Sequence, residues 1–210
     1  KGGLSPFILR YILGMASSDP TLTAWGFRSR VVPVIVITHV NQAVPLAHAL
    51  LEGGIDAMEI TLRHAAGLPA ISAVARSVPE MHVGAGTLTR AMDMKHVRDA
   101  GARFALSPGL TPELHEAAQT QAMPFIPGAM TPSEAMRARD WGYTTLKLFP
   151  AAQAGGLSMV KAMAGPLPDV KWCPTGGVRV ENLAEYLQQP NVALVGGTWL
   201  TPLPLIEAAD

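Results

Sequence analysis

Apolar positions along this chain change period repeatedly. From Val31 onward, short runs rich in β-branched and other apolar residues stop at Gly, Pro or a small polar residue. Each is followed by a stretch whose apolar positions recur every three or four residues. Period two reads as strand and period 3.6 as helix. The apolar runs are 31–37, 57–62, 82–87, 104–108, 124–127, 145–150, 171–175 and 193–197. Between them, 41–52 has an apolar face of Val44, Ala47, Leu50 and Leu51 and ends at Gly53-Gly54. Residues 68–77 behave similarly, and 89–100 opens with a capping residue, Thr89, and stops at Gly101. Thr111-Pro112 and Thr131-Pro132 each place Thr at an N-cap and Pro at the first helical position. Residues 157–164 and 180–187 complete the set. Strands alternating with helices predict parallel strands joined by crossovers. Eight such units predict an α/β fold of the (β/α)8 (TIM) barrel type. The competing architecture, a doubly wound open sheet, usually carries Gly-x-Gly-x-x-Gly after its first strand. Here that position reads Thr38-His39-Val40-Asn41, without glycine.

The segment before the first strand adds one element. Phe7, Ile8, Tyr11 and Ile12 fall at helical spacing and predict an extra N-terminal amphipathic helix. Arg10 interrupts the apolar stretch, which argues against a signal peptide. Residues 17–30 are polar and turn-rich, and the sequence assigns them no role. No linker or low-complexity segment divides the chain. The expectation is therefore one domain over 1–210, with 1–30 as helix and lead-in and 31–200 as the barrel.

Composition narrows the function classes. The chain has 210 residues, 49% of them hydrophobic, enough for a substantial core. Sixteen basic and sixteen acidic residues cancel, and no basic run of the kind nucleic acid requires is present. No apolar run approaches the ~20 residues of a membrane helix. Cys173 is the only cysteine, so there is neither an internal disulfide nor a Cys-x-x-Cys metal site, which fits a reducing cytoplasm. The six histidines are scattered without a His-x-x-x-His pair.

In such a barrel the chemistry lies at the C-terminal strand ends. The most informative strand is Thr145-Leu146-Lys147-Leu148-Phe149-Pro150. Alternation puts Leu146 and Leu148 on one face and Thr145, Lys147 and Phe149 on the other. An ammonium in an apolar strand is costly to bury, and a deprotonated amine is a nucleophile towards carbonyls. The alternative is a lysine snorkelling to solvent. On the second strand, Glu59, Thr61 and Arg63 share the inward face. They read either as an acid/base with a carboxylate clamp or as a structural Glu59–Arg63 ion pair. The third strand ends Gly84-Ala85-Gly86-Thr87, the seventh Cys173-Pro174-Thr175-Gly176-Gly177 and the eighth Gly196-Gly197-Thr198. Paired glycines after strands seven and eight suit a phosphate cradle; the alternative is plain turn geometry. Ser107-Pro108-Gly109 and Pro127-Gly128 read as turns, and Cys173 as a small core residue.

Taken in order, Glu59-Ile60-Thr61-Leu62-Arg63, Val83-Gly84-Ala85-Gly86-Thr87, Ser107-Pro108-Gly109, Ile126-Pro127-Gly128, Lys147-Leu148-Phe149-Pro150-Ala151, Ala164-Gly165-Pro166 and Cys173-Pro174-Thr175-Gly176-Gly177-Val178 resemble 2-keto-3-deoxy-6-phosphogluconate (KDPG) aldolase, also a 4-hydroxy-2-oxoglutarate aldolase family. The resemblance implies a metal-independent class I aldolase of the Entner–Doudoroff pathway, a (β/α)8 barrel, a homotrimer, no cofactor, and a phosphorylated 2-keto acid as substrate. By the same resemblance, Lys147 matches the Schiff-base lysine and Glu59 the acid/base. Arg63 and Thr87 match the pyruvate-binding residues, and Thr175 lines the same site. Gly176, Gly177, Gly197 and Thr198 match the phosphate end. The chain departs from the family in three places: Thr198 stands where serine is usual, the C-terminal helix is short, and the 17–30 lead-in is unlike the family's. Two other classes compete. One is a metal-dependent sugar-phosphate epimerase or aldolase, for which only His39 and His64 lie just past a strand end. The other is a phosphate-binding barrel without catalysis.

Overall fold

The computed structural model describes residues 25–202 together with Pro204 and Ile206. The expected N-terminal amphipathic helix and most of the segment after Pro202 lie outside these residues. Among them the order is β1 (Val31–Ile35), α1 (Ala43–Glu52), β2 (Ala57–Thr61), α2 (Gly67–Ser77), β3 (His82–Gly86), α3 (Ala91–Asp99), β4 (Phe104–Leu106), α4 (Pro112–Thr120), β5 (Phe125–Ile126), β6 (Gly128–Ala129), α5 (Pro132–Asp140), β7 (Thr145–Leu148), α6 (Gly156–Met163), β8 (Lys171–Pro174), α7 (Val180–Leu187) and β9 (Val195–Gly197). A single 3₁₀ turn, Val40–Gln42, leads into α1. The result is an α/β fold in which a curled parallel sheet is flanked by seven helices among the described residues.

The strands run β5-β4-β3-β2-β1-β9 in one sheet and β6-β7-β8 in the other. Every paired neighbour is parallel. Single parallel bridges Trp172–Val192 and Thr175–Gly196 join β8 to the β9 region. The predicted strand at 124–127 is two short strands. β5 pairs with β4, and β6 pairs with β7. Pro127 separates them because a proline has no N–H to donate to a ladder. Gly128 then passes so close to the turn at Pro108 that a Cβ would lie 2.2 Å from its carbonyl carbon.

Period-two alternation sorts the strand side chains into two apolar layers. Met58, Ile60, Val83, Ala85, Leu146 and Leu148 face the helices. Val32, Ala57, Phe104, Leu106, Ile126 and Cys173 form a separate inner cluster. Helix starts follow local chemistry at two of the three predicted caps. Thr111 accepts a hydrogen bond from the Leu114 N–H. Thr131 and Glu134 form a reciprocal capping box. Thr89 does not cap. Arg90 holds the N-cap of α3, without a side-chain bond.

The described part of the lead-in to which the sequence assigns no role, residues 25–30, closes the N-terminal end of the strands. Phe27 packs edge-on to Phe104, with centroids 5.0 Å apart, and Trp25 lies against both. The Arg28 and Ser29 N–H groups donate to buried Asp56, just before β2. Arg30 donates to the carbonyls of Leu187, Val192 and Ala193.

Candidate active site

At the opposite end of the strands lies a cavity of about 320 Å³. It is lined by all nine residues singled out from the sequence: Glu59, Arg63, Thr87, Lys147, Thr175, Gly176, Gly177, Gly197 and Thr198. Val34, Pro108, Phe149 and Val178 complete the wall. The sequence assigns none of these four a role in the site, although the alternation that points Lys147 inward points Phe149 inward as well; Pro108 reads in the sequence as a turn residue.

Lys147 and Glu59 form the floor. Lys147 is central in β7 and only 5% exposed; Glu59 is central in β2 and 1% exposed. The Lys147 Nζ donates to Glu59 Oε1 at 3.1 Å and Oε2 at 3.4 Å. Two charges out of water are tolerable as a pair, whereas deleting one partner typically costs about 3–5 kcal/mol. The Lys147 Nζ also lies 5.5 Å from the Phe149 ring centroid, within cation–π range. The buried ion pair replaces both alternatives weighed from sequence: Lys147 does not snorkel, and Glu59 does not pair with Arg63. Arg63 is exposed at the rim and makes no ion pair among the described residues.

The walls come from strand ends. Thr61, one turn of the pleat beyond Glu59, donates to the Ile35 carbonyl at 3.0 Å and so fixes β2 to β1. Thr87 adopts φ +63°, a costly conformation for a β-branched residue. Thr175 is buried beside Gly196, where a Cβ would come within 2.3 Å of its Oγ1. Gly176 and Gly177 have φ +93° and +84°, so the turn after β8 uses left-handed backbone that glycine adopts freely. The carbonyls of Thr175 and Gly176 accept from the Ala151 and Ala152 N–H groups, which ties this turn to the one after β7. Thr198 is exposed at the rim.

Cys173 is the neighbour of Lys147 across the β7–β8 ladder. Burial pushes its thiol up to about 11, partly offset by the charge of Lys147. It therefore stays a protonated core residue and does not line the cavity. His39 and His64 are both exposed and outside the cavity. The His64 Nδ1 accepts from the Ala66 N–H. Among the described residues no group of three or more His, Cys, Asp or Glu side chains is placed to hold a metal ion, and no helix is long and apolar enough to cross a membrane.

Comparison with known proteins places this geometry in context. The family model for KDPG and KHG aldolase matches residues 26–210. A 2-dehydro-3-deoxy-phosphogluconate aldolase of Pseudoalteromonas atlantica is 49% identical over 180 residues, covering 86% of this chain and 84% of the relative. A KHG/KDPG aldolase of Escherichia coli is 46% identical with the same coverage. Among solved structures, the KDPG aldolase of Legionella pneumophila, with pyruvate captured as a covalent carbinolamine, superposes with a TM-score of 0.83 at 46% identity, covering 85% of this chain and 87% of that one. The chain belongs to the KDPG and KHG aldolase family.

Proposed function

We propose that this protein is a class I aldolase that cleaves KDPG to pyruvate and glyceraldehyde 3-phosphate through an imine on Lys147, and cleaves 4-hydroxy-2-oxoglutarate to pyruvate and glyoxylate by the same route. The observation that carries this reading is the buried Lys147–Glu59 pair at 3.1 Å, at the floor of a cavity open to solvent. The relative from Legionella pneumophila holds pyruvate as a carbinolamine, the first covalent intermediate that an amine in this position would form.

The chemistry follows from the placement of the groups. Lys147 passes a proton to Glu59, and its free amine attacks C2 of the keto acid. Glu59 gives that proton to the carbonyl oxygen to form the carbinolamine, then relays a second proton from the attached nitrogen to the same oxygen, which leaves as water; a protonated imine and the Glu59 carboxylate remain. A base, Glu59, takes the proton of the C4 hydroxyl. The C3–C4 bond breaks, and its electron pair flows into the imine, giving an enamine and the free aldehyde. Proton return to C3 from Glu59 and hydrolysis of the imine release pyruvate and restore the lysine. Arg63 suits a bidentate carboxylate contact at the rim, with Thr87 and Thr175 as hydroxyl donors beside it. Gly176, Gly177, Gly197 and Thr198, which line the cavity, would offer backbone N–H groups to a phosphate. The chemistry assigned to these side chains calls for no metal or cofactor.

The same reading includes a single closed (β/α)8 barrel domain. Its closure is supported by the β1–β9 ladder, the Trp172–Val192 and Thr175–Gly196 bridges, and the chain's passage from β5 to β6 through Pro127. It also includes a cytoplasmic homotrimer, with exposed Met130 and Met136 as apolar surface available to a neighbouring copy. A solution mass three times the 22.2 kDa chain is the expected result.

The decisive experiment is borohydride reduction in the presence of pyruvate, read by intact mass and peptide mapping. The expected result is one reduced adduct, on Lys147, absent from Lys147→Ala. Pyruvate binding without an adduct, or an adduct on another lysine, overturns the imine mechanism.

A further inference from the structure

Alternation on β3 points Gly84 and Gly86 to the interior, while Val83 and Ala85 join the helix-facing layer. The inner face of this strand therefore ends in two positions without side chains, and each vacant position is filled from elsewhere. A Cβ on Gly84 would lie 2.3 Å from the Phe104 ring. A Cβ on Gly86 would lie 2.0 Å from Glu59 Oε1, 2.5 Å from its Cγ and 2.6 Å from its Cδ. The carboxylate of Glu59 thus rests on the bare backbone of Gly86. The oxygen resting there, Oε1, is also the one nearer the Lys147 amine. Gly86 is not among the residues with positive φ. Its backbone would accept alanine, so the need for glycine here is one of space alone.

We propose that Gly86 is a positioning residue for the acid/base step: the space left by its missing side chain sets where the Glu59 carboxylate stands relative to Lys147. This inference rests on the reading of Glu59 as the acid/base. A misplacement of about 1 Å in a reacting group is enough to cost on the order of 100-fold in rate.

The test follows exchange of the pyruvate methyl protons with deuterated solvent by NMR, a reaction that needs the imine and a proton carrier but no aldehyde. Four proteins are compared with wild type: Gly86→Ala, Glu59→Asp, Gly86→Ala/Glu59→Asp and Glu59→Gln. For Gly86→Ala the exchange rate and kcat are expected to fall on the order of 100-fold, with KM changed much less and the lysine still trapped by borohydride. Aspartate lacks the Oε1 and Cδ that lie 2.0 and 2.6 Å from the added methyl but keeps a carbon at Cγ, so it relieves the end of the clash and not its base. Adding Gly86→Ala to Glu59→Asp is therefore expected to cost about tenfold less than adding it to wild type, a non-additive cycle. Additive losses, or a Gly86→Ala enzyme with wild-type exchange, overturn the proposal. If the single variant does not fold, the comparison of Glu59→Asp with the double variant decides. A double variant that also fails to fold overturns the proposal as well, because the effect of residue 86 then does not depend on the reach of the residue 59 carboxylate. Glu59→Gln separates this inference from its parent. Undiminished exchange in that variant removes the acid/base role itself, whereas its loss alongside an active Gly86→Ala removes only the role of Gly86.

Discussion

Two buried carboxylates stand three residues apart in this chain and serve opposite ends of the sheet. Asp56, 2% exposed, lies just before β2. It accepts from the backbone N–H groups of Arg28 and Ser29 at 2.9 Å each, and from the Arg28 side chain at 3.2 Å. Glu59, 1% exposed, lies within β2, and its side chain has one partner among the described residues, the Lys147 amine. Peptide donors cannot give up a proton or leave, so Asp56 holds the aromatic lead-in of Trp25 and Phe27 against the strand ends. An amine can lose its proton, turn to a carbonyl and return. A carboxylate whose only partner is reactive is poised for chemistry; one satisfied by the backbone is a fastener. The surroundings agree. Phe27, Phe104 and Trp25 fill the Asp56 end with rings, while glycines and short hydroxyls keep the Glu59 end open.

Substitutions at the two carboxylates sharpen this contrast, and the largest effect is expected at the cavity. Glu59→Gln should lower kcat by about 10²- to 10⁴-fold, the usual worth of a positioned acid/base. The protein should stay folded by circular dichroism, and a glutamine variant with more than a tenth of wild-type turnover would dissolve the distinction. Asp56→Ala should do the reverse. Two peptide N–H groups lose their acceptor, at about 1–2 kcal/mol each, and the thermal midpoint should drop by roughly 5–15 °C. Turnover per folded molecule at low temperature should be unchanged; a selective loss of kcat would mean that the two ends are coupled.

A smaller effect is expected beside Asp56. Burial, with Arg103 and Arg28 adding repulsion against the pull of Asp56, lowers the His82 imidazole below its ordinary 6.5. The unfolded chain then binds a proton at a pH where the folded one does not, so stability rises with pH through this window. The contribution is present above about 6.5 and is lost as the pH falls towards the lowered folded value. Melting curves from pH 7.5 to 5.5 should therefore fall more steeply for wild type than for His82→Gln, and parallel curves would remove the effect. The smallest expected signal is at Cys173. With its thiol pushed up to about 11 by burial, it should resist iodoacetamide at pH 8 in the native protein and react only after denaturation. Rapid native labelling would mean that the inner cluster beneath Lys147 is open to reagents.

Much of this site was legible before any coordinates. Period-two alternation is a local property of the backbone, so it placed Lys147 and Glu59 inward and Leu146, Leu148, Met58 and Ile60 against the helices, and all six lie there. Caps are local as well, and Thr111 and Thr131 hold the starts of α4 and α5. The sequence by itself thus determined most of the strands and helices, the facing of these strand positions and the residue types at the strand ends, because those depend on neighbours within a few positions. Only the tertiary structure decided which of the inward groups touch. Lys147 takes a carboxylate 88 positions away, and Arg63, four residues from that carboxylate, is left free at the rim. Register and curl of the sheet set such distances, and they are properties of many strands at once. For the same reason nothing local to Gly86 points to the Glu59 side chain resting on it, and the 25–30 lead-in has a role only with Asp56 and Phe104 in place to receive it.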